Sequence, residues 1–205
     1  MSAIGTTTEQ PTAQHSRGFG IYVAFAPWIL FAFLGQHSTL LVGALVAFAA
    51  AVVIALPSVR AGRPKALEVG AVVAFAGFSV VAIVADHATT VFMARYARGI
   101  AAGLLALIAF TSLMLTPFTE QYARESVPRK YWSSPRFKQI NRRLTLMWGC
   151  VFLLMIPSHI AAGLIDTRPA NLIFNWAIPV GLIVLAAKRT EAAGEDSGHS
   201  LRPSG

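Results

Sequence analysis

His159 is a strongly titratable side chain inside an apolar stretch, and it directly follows Pro157 and Ser158. Ionisable residues at membrane depth often mark proton relays or metal ligands. A histidine beside a proline can also be structural, because the proline frees a backbone carbonyl and leaves a gap that a polar group fills. The sequence favours this structural role. His159 is therefore the candidate intramembrane polar site, with a proton relay or a metal ligand as the alternatives.

Other patterns of catalytic or metal-binding residues are scarce. His87 lies at a depth similar to that of His159, but neither a further ligand nor the spacing of haem-binding helices accompanies the pair. The sequence contains no phosphate-binding loop, zinc spacing, nucleophile elbow or dinucleotide fingerprint. We therefore predict a protein that is not an enzyme and that has neither a metal nor a cofactor.

The segment from Pro117 to Arg143 carries seven basic and two acidic residues. Tyr122, Tyr131 and Trp132 accompany these charges and are expected to be exposed, which is typical of protein-docking surfaces. We interpret the segment as a membrane-surface anchor, with a docking surface for a cytoplasmic partner and a catalytic or substrate-binding loop as the alternatives. The candidate contact residues are Arg124, Arg129, Lys130, Trp132, Arg136, Lys138, Arg142 and Arg143.

A helix is predicted to begin inside this segment. Ser134 followed by Pro135 is a typical N-cap with proline in the first helical position. Beyond it, Phe137, Ile140, Asn141 and Leu144 share one face, while most of the basic residues lie elsewhere. The pattern predicts a basic amphipathic turn that leads into an apolar helix at the membrane surface.

Composition indicates which kind of fold carries these residues. Of the 205 residues, 55% are hydrophobic and only 13% are charged, and the mean hydropathy is +0.59. A soluble domain of this size would carry roughly 25% charged residues, so the apolar excess is expected to face lipid. The net charge is +8, but the basic residues cluster between apolar runs, which favours anionic head groups over nucleic acid as their partner.

The apolar runs predict an all-α transmembrane helix bundle with about six spans. A spanning helix needs about 20 predominantly apolar residues, and each predicted span has 17 to 22. The predicted spans are Phe19 to Gly35, Thr39 to Pro57, Val69 to Ala85, Gly99 to Thr119, Leu144 to Ile165 and Pro169 to Ala187. The intervening segment from Ala88 to Arg98 is predicted to be a short interfacial helix or loop.

The distribution of basic residues predicts the orientation. With the N-terminus inside, the inner side holds 14 of the Lys and Arg residues and the outer side holds 3, so the positive-inside rule places both termini in the cytoplasm. Residues 19–189 would form the bundle, with a basic cytoplasmic segment at 120–143. Residues 1–18 and 190–205 are predicted to be disordered cytoplasmic tails.

Several polar and small residues have predicted partners. Glu68 can pair with Lys65 three residues earlier on the same helix. Gly99 and Gly103 form a spacing that allows close helix packing, within the bundle or at a dimer interface. Near the outer surface, interfacial ion pairs are expected among Asp86, Arg95, Arg98, Asp166 and Arg168.

Two blocks of sequence resemble known membrane proteins. The run from Pro117 to Glu125, together with Tyr131 to Pro135, resembles a block found in uncharacterised bacterial multi-pass membrane proteins. The run from Asn141 to Thr145, with Trp148, Gly149 and Phe152, more distantly resembles a late span of the intracellular septation protein A family. Phe92, Arg95 and Arg98 are similar to a motif that precedes a span in that family, although Gly99 replaces its proline and Asp86-His87 its Asp-Pro. This resemblance implies a non-catalytic inner-membrane protein connected with envelope growth or division.

The functional prediction is a structural or interaction role in the cell envelope, at the inner (plasma) membrane. Its expected partners are the lipid bilayer with its anionic head groups and either a second membrane protein or another copy of the chain. A small transporter or channel is the alternative, and it would need polar residues that converge at mid-membrane. A membrane enzyme or redox protein is the third reading, and it would need paired histidines or clustered carboxylates in one cavity.

Overall fold

The structure is a computed structural model that describes residues 19–199, and every regular element within that range is helical. This confirms the predicted all-α class. Short connections make successive long helices antiparallel. The helices are α1 (Phe19–Ala24), α2 (Ala26–His37), α3 (Leu40–Arg60), α4 (Ala66–Val84), α5 (His87–Ser112), α6 (Phe118–Ser126), a 3₁₀ turn (Arg129–Tyr131), α7 (Pro135–Ile165), α8 (Arg168–Leu172), a π turn (Ile173–Ala177) and α9 (Ile178–His199).

Among the described residues, five helical stretches are long and apolar enough to cross a membrane. They are α3, α4, α5, α7 and the stretch Arg168–Gly194, which joins α8, the π turn and part of α9. Many large apolar side chains on these helices point outward; Val53, Val73 and Leu164, for example, are 67 to 70% exposed. Side chains of this kind require an apolar surrounding, so the five helices indicate a protein embedded in a membrane.

The bundle has two chemically different ends. The basic end holds the connections 61–65 and 113–134 and the last turns of α9, and it carries most of the lysines and arginines. The opposite end holds the connections 38–39, 85–86 and 166–167, where the described cations are Arg95, Arg98 and Arg168.

The first predicted span is a broken helix. The break lies at Phe25, and Pro27 in the first turn of α2 lacks the N–H that would continue the hydrogen bonding of α1. Gly20 lies beside the Glu125 carboxylate at the basic end, whereas Gln36 accepts a hydrogen bond from the Trp176 indole at the opposite end. The two short helices together therefore extend along the whole length of the bundle.

The fourth predicted span is displaced. Its helix begins at His87 and ends at Ser112, so the segment 88–98 is part of the long helix and the prediction of a separate interfacial element is wrong. The Asp86 carboxylate caps the helix by accepting a bond of 2.8 Å from the Thr89 N–H. The charges of Arg95 and Arg98 do not interrupt α5, because each side chain finds a partner on another element.

Glycines let α5 and α7 pack closely, as the spacing of Gly99 and Gly103 predicts. Gly99 faces His159 and Gly103 faces Ile156, so this pair lies inside the bundle. From the other side, Gly149 lies against the ring of Phe110 and Gly163 against the ring of Tyr96. On each helix, glycines therefore lie opposite large side chains of the other helix, and this allows the two backbones to approach closely.

The middle of the bundle is packed with aromatic rings and alanines. The Phe75 ring lies 4.8 Å from Trp28 and 5.3 Å from Phe31, measured between ring centroids. A stripe of alanines on α3, including Ala44, Ala47 and Ala51, is almost completely buried. Small side chains on α3 allow the aromatic residues of α2 and α4 to fill this layer.

The last helix continues beyond the predicted boundary. The polar composition predicts a disordered tail from residue 190, but α9 runs to His199. The part of α9 that begins at residue 190 is held to the bundle by Thr190, which accepts a bond from Trp148, and by Glu191, which accepts one from Tyr22. The predicted tail at 1–18 and the residues after 199 lie outside the described part of the chain.

Candidate functional site

The basic segment folds partly into the bundle instead of lying wholly on its surface. Helix α6 buries Phe118, Glu120 and Tyr122 against the basic end. The Thr119 hydroxyl lies 2.8 Å from both the Asn141 carbonyl and the Thr145 hydroxyl of α7. These bonds fix α6 beneath the membrane helices.

Three of the predicted contact residues stack on aromatic rings. The guanidinium carbons of Arg124 and Arg129 lie 5.2 Å and 5.5 Å from the centre of the Trp132 ring. Lys130 lies 4.9 Å from the ring of Tyr131. Arg124 also pairs with Glu120 at 2.6 Å. Trp132 itself is anchored, because its indole N–H donates to the Val127 carbonyl at 2.8 Å.

The other four predicted contact residues form an exposed basic face at the start of α7. Ser134 caps this helix as predicted, and its side chain accepts a bond from the Phe137 N–H. Asn141 is buried and Phe137 and Leu144 are half-buried toward the bundle, so the basic residues lie on the other side of the helix. Among the side chains that the structure describes, none forms an ion pair with Arg136, Lys138, Arg142 or Arg143. We call these four residues the α7 basic face.

The first turn of α4, at the basic end, carries a buried carboxylate, Glu68. The predicted pair with Lys65 is confirmed at 3.1 Å, and Lys65 also reaches Glu125 at 2.7 Å. Glu68 further accepts hydrogen bonds from the hydroxyls of Ser58 and Tyr122. Burial, and next the negative charge of Glu68, raise the pKa of Tyr122, so this phenol remains a neutral donor. No local pattern links Ser58, Tyr122 or Glu125 to Glu68, because they are remote from it in the chain, and Tyr122 is buried here although the sequence predicts it to be exposed.

His159 takes part in a hydrogen-bonded network between α7 and the π turn. It is 5% exposed, and its Nδ1 lies 2.6 Å from the Asn175 Oδ1. The Asn175 amide nitrogen donates to the Asn171 Oδ1 at 2.6 Å. His159 is hydrogen-bonded, as the structural interpretation expects, but its partner is a side chain and not backbone freed by Pro157. Ser158 bonds to backbone instead, donating to the Phe174 carbonyl within the π turn.

Replacing His159 tests this network, because asparagine and glutamine carry their amides at different distances from the backbone. An asparagine amide nitrogen can occupy the place of Nδ1 and donate to Asn175, so His159→Asn is expected to fold nearly as well as the wild type. His159→Gln and His159→Leu lose that bond and should each lower the free energy of unfolding by about 0.6 to 2 kcal/mol. Unfolding by a denaturing detergent measures the difference. Equal losses for the asparagine and leucine variants would contradict this role.

At the opposite end, only one of the expected ion pairs forms between described residues. Arg95 pairs with Asp166 at 2.6 Å, which confirms that part of the prediction. Asp86 serves as a helix cap, and the bond from Thr89 lowers the pKa of its carboxyl. Arg98 turns inward and donates to the Ala32 carbonyl at 2.8 and 3.2 Å. Arg168 pairs with no described carboxylate.

The comparisons and the described side chains identify no known type of site. Within residues 19–199, no group of three or more His, Cys, Asp or Glu side chains is placed to hold a metal ion. No family model, curated protein or solved structure matches the chain. The candidate site with the clearest geometry is therefore the α7 basic face, where exposed cations meet the start of an apolar helix.

Proposed function

We propose that this chain is a six-span membrane protein with both termini in the cytoplasm, and that its α7 basic face holds anionic lipid head groups. In this proposal the protein has a structural or interaction role in the cell envelope at the inner membrane. The observation that carries it is the α7 basic face itself: four exposed cations without a described ion-pair partner lie where α7 enters the apolar bundle.

The division of the basic segment into two groups supports a lipid contact. Arg124, Arg129 and Lys130 are already engaged with aromatic rings of the protein. Cations without such partners gain about 1 kcal/mol each from an anionic membrane surface. Phe137 and Leu144 orient α7 so that its basic face lies on the side away from the bundle. The distant resemblance to the septation protein A family is the basis for proposing an envelope role.

A structural role is also supported by the packing at mid-membrane. Phe31, Phe75 and Phe78 fill the layer where a transport path would need polar groups. A small transporter would need this layer to open, and stacked aromatic rings together with buried alanines oppose such a movement. We therefore place the structural role before the transporter alternative.

The topology predicts opposite sidedness for reporters at two positions. A reporter fused after Arg189 should be active in the cytoplasm, because α9 ends at the basic end. A reporter inserted at His37 should report the outer side, since the broken pair α1–α2 extends to the opposite end. Matching sidedness at the two positions would contradict an arrangement in which α1 and α2 together cross the bilayer.

A spin label on α7 tests the head-group contact. In a background with Cys150 changed to serine, a label at Gln139 is expected to lie at shallow interfacial depth, accessible both to oxygen and to a water-soluble nickel complex. The wild-type Cys150 is exposed and lies eleven residues further along α7, about 16 Å deeper, and a label there supplies the lipid reference. A label at 139 with the accessibility of a freely dissolved label would overturn the proposal.

Charge variants separate the α7 basic face from the stacked cations. Anionic lipid should draw the label at 139 closer to the bilayer than neutral lipid does. The double change Arg142→Gln and Arg143→Gln should roughly halve this difference, because it removes two of the four cations and leaves Arg136 and Lys138. The matched control, Arg129→Gln with Lys130→Gln, removes the same amount of charge from residues that stack on Trp132 and Tyr131. This control should leave the difference between anionic and neutral lipid unchanged. Equal effects of the two pairs would mean that net charge, not the α7 basic face, provides the attraction.

A further inference from the structure

A shallow cavity of about 400 Å³, widely open to the surface, lies at the opposite end of the bundle, between the end of α2 and the α8 region. Polar and apolar residues share its wall. The polar lining comprises Gln36, His37, Arg168 and Asn171, and the apolar lining comprises Phe33, Leu172 and Trp176.

Hydrogen bonds within the protein determine which polar atoms remain for a ligand. Gln36 uses its carbonyl oxygen to accept from the Trp176 indole at 2.9 Å. Asn171 uses its carbonyl oxygen to accept from Asn175 at 2.6 Å. Each side chain therefore keeps its amide nitrogen, which is a donor. With the guanidinium of Arg168, the lining has three sets of donors, as an anion requires.

The charge balance at this end favours the same class of ligand. Its described acids are already engaged, since Asp166 pairs with Arg95 and Asp86 caps α5. Arg98 lies 5.9 Å behind the Trp176 ring, and its described hydrogen bonds go to the Ala32 carbonyl alone. A partly buried cation without an anion is unfavourable. An anion in the cavity would offset the charges of Arg98 and Arg168.

The apolar wall indicates that the anion carries an acyl chain. Phe33 is 49% exposed and Leu172 is 66% exposed, so this wall continues onto the apolar outer surface of the bundle. We propose that the cavity binds a phospholipid, with its phosphate held by Arg168, Gln36 and Asn171 and its chain lying along Phe33 and Leu172. This site is separate from the α7 basic face and does not depend on the role proposed there.

A photo-crosslinker inside the cavity gives a local test. The full chain, with p-benzoylphenylalanine replacing Phe33, is placed in vesicles of uncharged digalactosyldiacylglycerol that contain a minor share of phosphatidylglycerol. The lipids captured on irradiation are identified by mass. We expect the captured phosphatidylglycerol to exceed its share in the vesicle by about tenfold, which corresponds to roughly one charge-assisted hydrogen-bonded contact.

Two variants and one competitor decide the outcome. Arg168→Gln should abolish the enrichment, whereas the matched control Arg189→Gln, which removes an exposed arginine at the basic end, should leave it unchanged. Melting temperatures of both variants verify folding. Capture in proportion to the vesicle composition, or equal effects of the two variants, would overturn the proposal. Competition by free inorganic phosphate would also overturn it, because the site would then select a soluble phosphate instead of a lipid.

Discussion

Replacing Glu68 with alanine is expected to lower the free energy of unfolding by about 3 kcal/mol, because two hydroxyls lose their charged acceptor and Lys65 keeps only the exposed Glu125 as its partner. Glu68 is 4% exposed, and it accepts from Ser58 and Tyr122 while pairing with Lys65. Because Tyr122 belongs to α6 and Ser58 to α3, one carboxylate joins three helices at the basic end. Unfolding of the purified protein by increasing sodium dodecyl sulfate measures the loss.

Two further variants identify the cause of this loss. Glu125 also pairs with Lys65 but is 53% exposed, so Glu125→Ala should cost only about 0 to 1 kcal/mol. Glu68→Gln keeps an acceptor for the hydroxyls and removes the charge, so its cost should lie between those of the two alanine variants. If Glu125→Ala were as damaging as Glu68→Ala, the stability would reside in the surface pair instead of the buried carboxylate.

The second large effect is expected from a single methyl group at Gly163. A Cβ atom there would lie 2.6 Å from the Tyr96 ring and 3.0 Å from the Arg95 Cγ. Moving either neighbour disturbs a contact, because the Tyr96 ring lies 5.1 Å from the Phe92 ring and Arg95 pairs with Asp166. We expect Gly163→Ala to lower the free energy of unfolding by about 1 to 3 kcal/mol, as overpacking of a close helix contact does.

Gly181 provides the matched control, because a Cβ added there meets no atom within 4 Å. Gly181→Ala should be neutral or should stabilise by up to about 1 kcal/mol through the better helix propensity of alanine. Combining Gly163→Ala with Tyr96→Ala should recover part of the loss, since the clashing ring is removed. A Gly163→Ala protein as stable as the wild type would mean that α5 and α7 are further apart than the structure places them.

Local signals account for what the sequence predicted correctly. The Ser134 cap and the Lys65–Glu68 pair each involve residues three positions apart, and helix geometry alone brings such residues together. The all-α class follows from long apolar runs, in which only helices satisfy their own backbone. The inward packing of Gly99 and Gly103 follows from their spacing on one face.

The errors in element boundaries have a common origin. Charge at 88–98 and polar composition after residue 189 suggested breaks, because an isolated helix has no partner for such residues. In the folded bundle Arg95 forms an ion pair with Asp166, and Glu191 accepts a hydrogen bond from Tyr22. Contacts between remote parts of the chain thus allow α5 and α9 to extend further than local composition indicates.

By itself the sequence determined the helical class, the presence of long apolar helices, the basic segment and the cap of α7, because hydropathy and i,i+3 geometry act within one helix. Only the tertiary structure decided which side chains meet across helices. In the folded bundle Glu68 accepts hydrogen bonds from Ser58 and Tyr122, and His159 is hydrogen-bonded to Asn175. Arg168 lines a cavity and pairs with no described acid. Such contacts between helices depend on how each helix is rotated about its axis and how far it is shifted along that axis relative to its neighbours. These are set by the fit of glycines, alanines and aromatic rings over the whole bundle, and no short stretch of sequence contains that information.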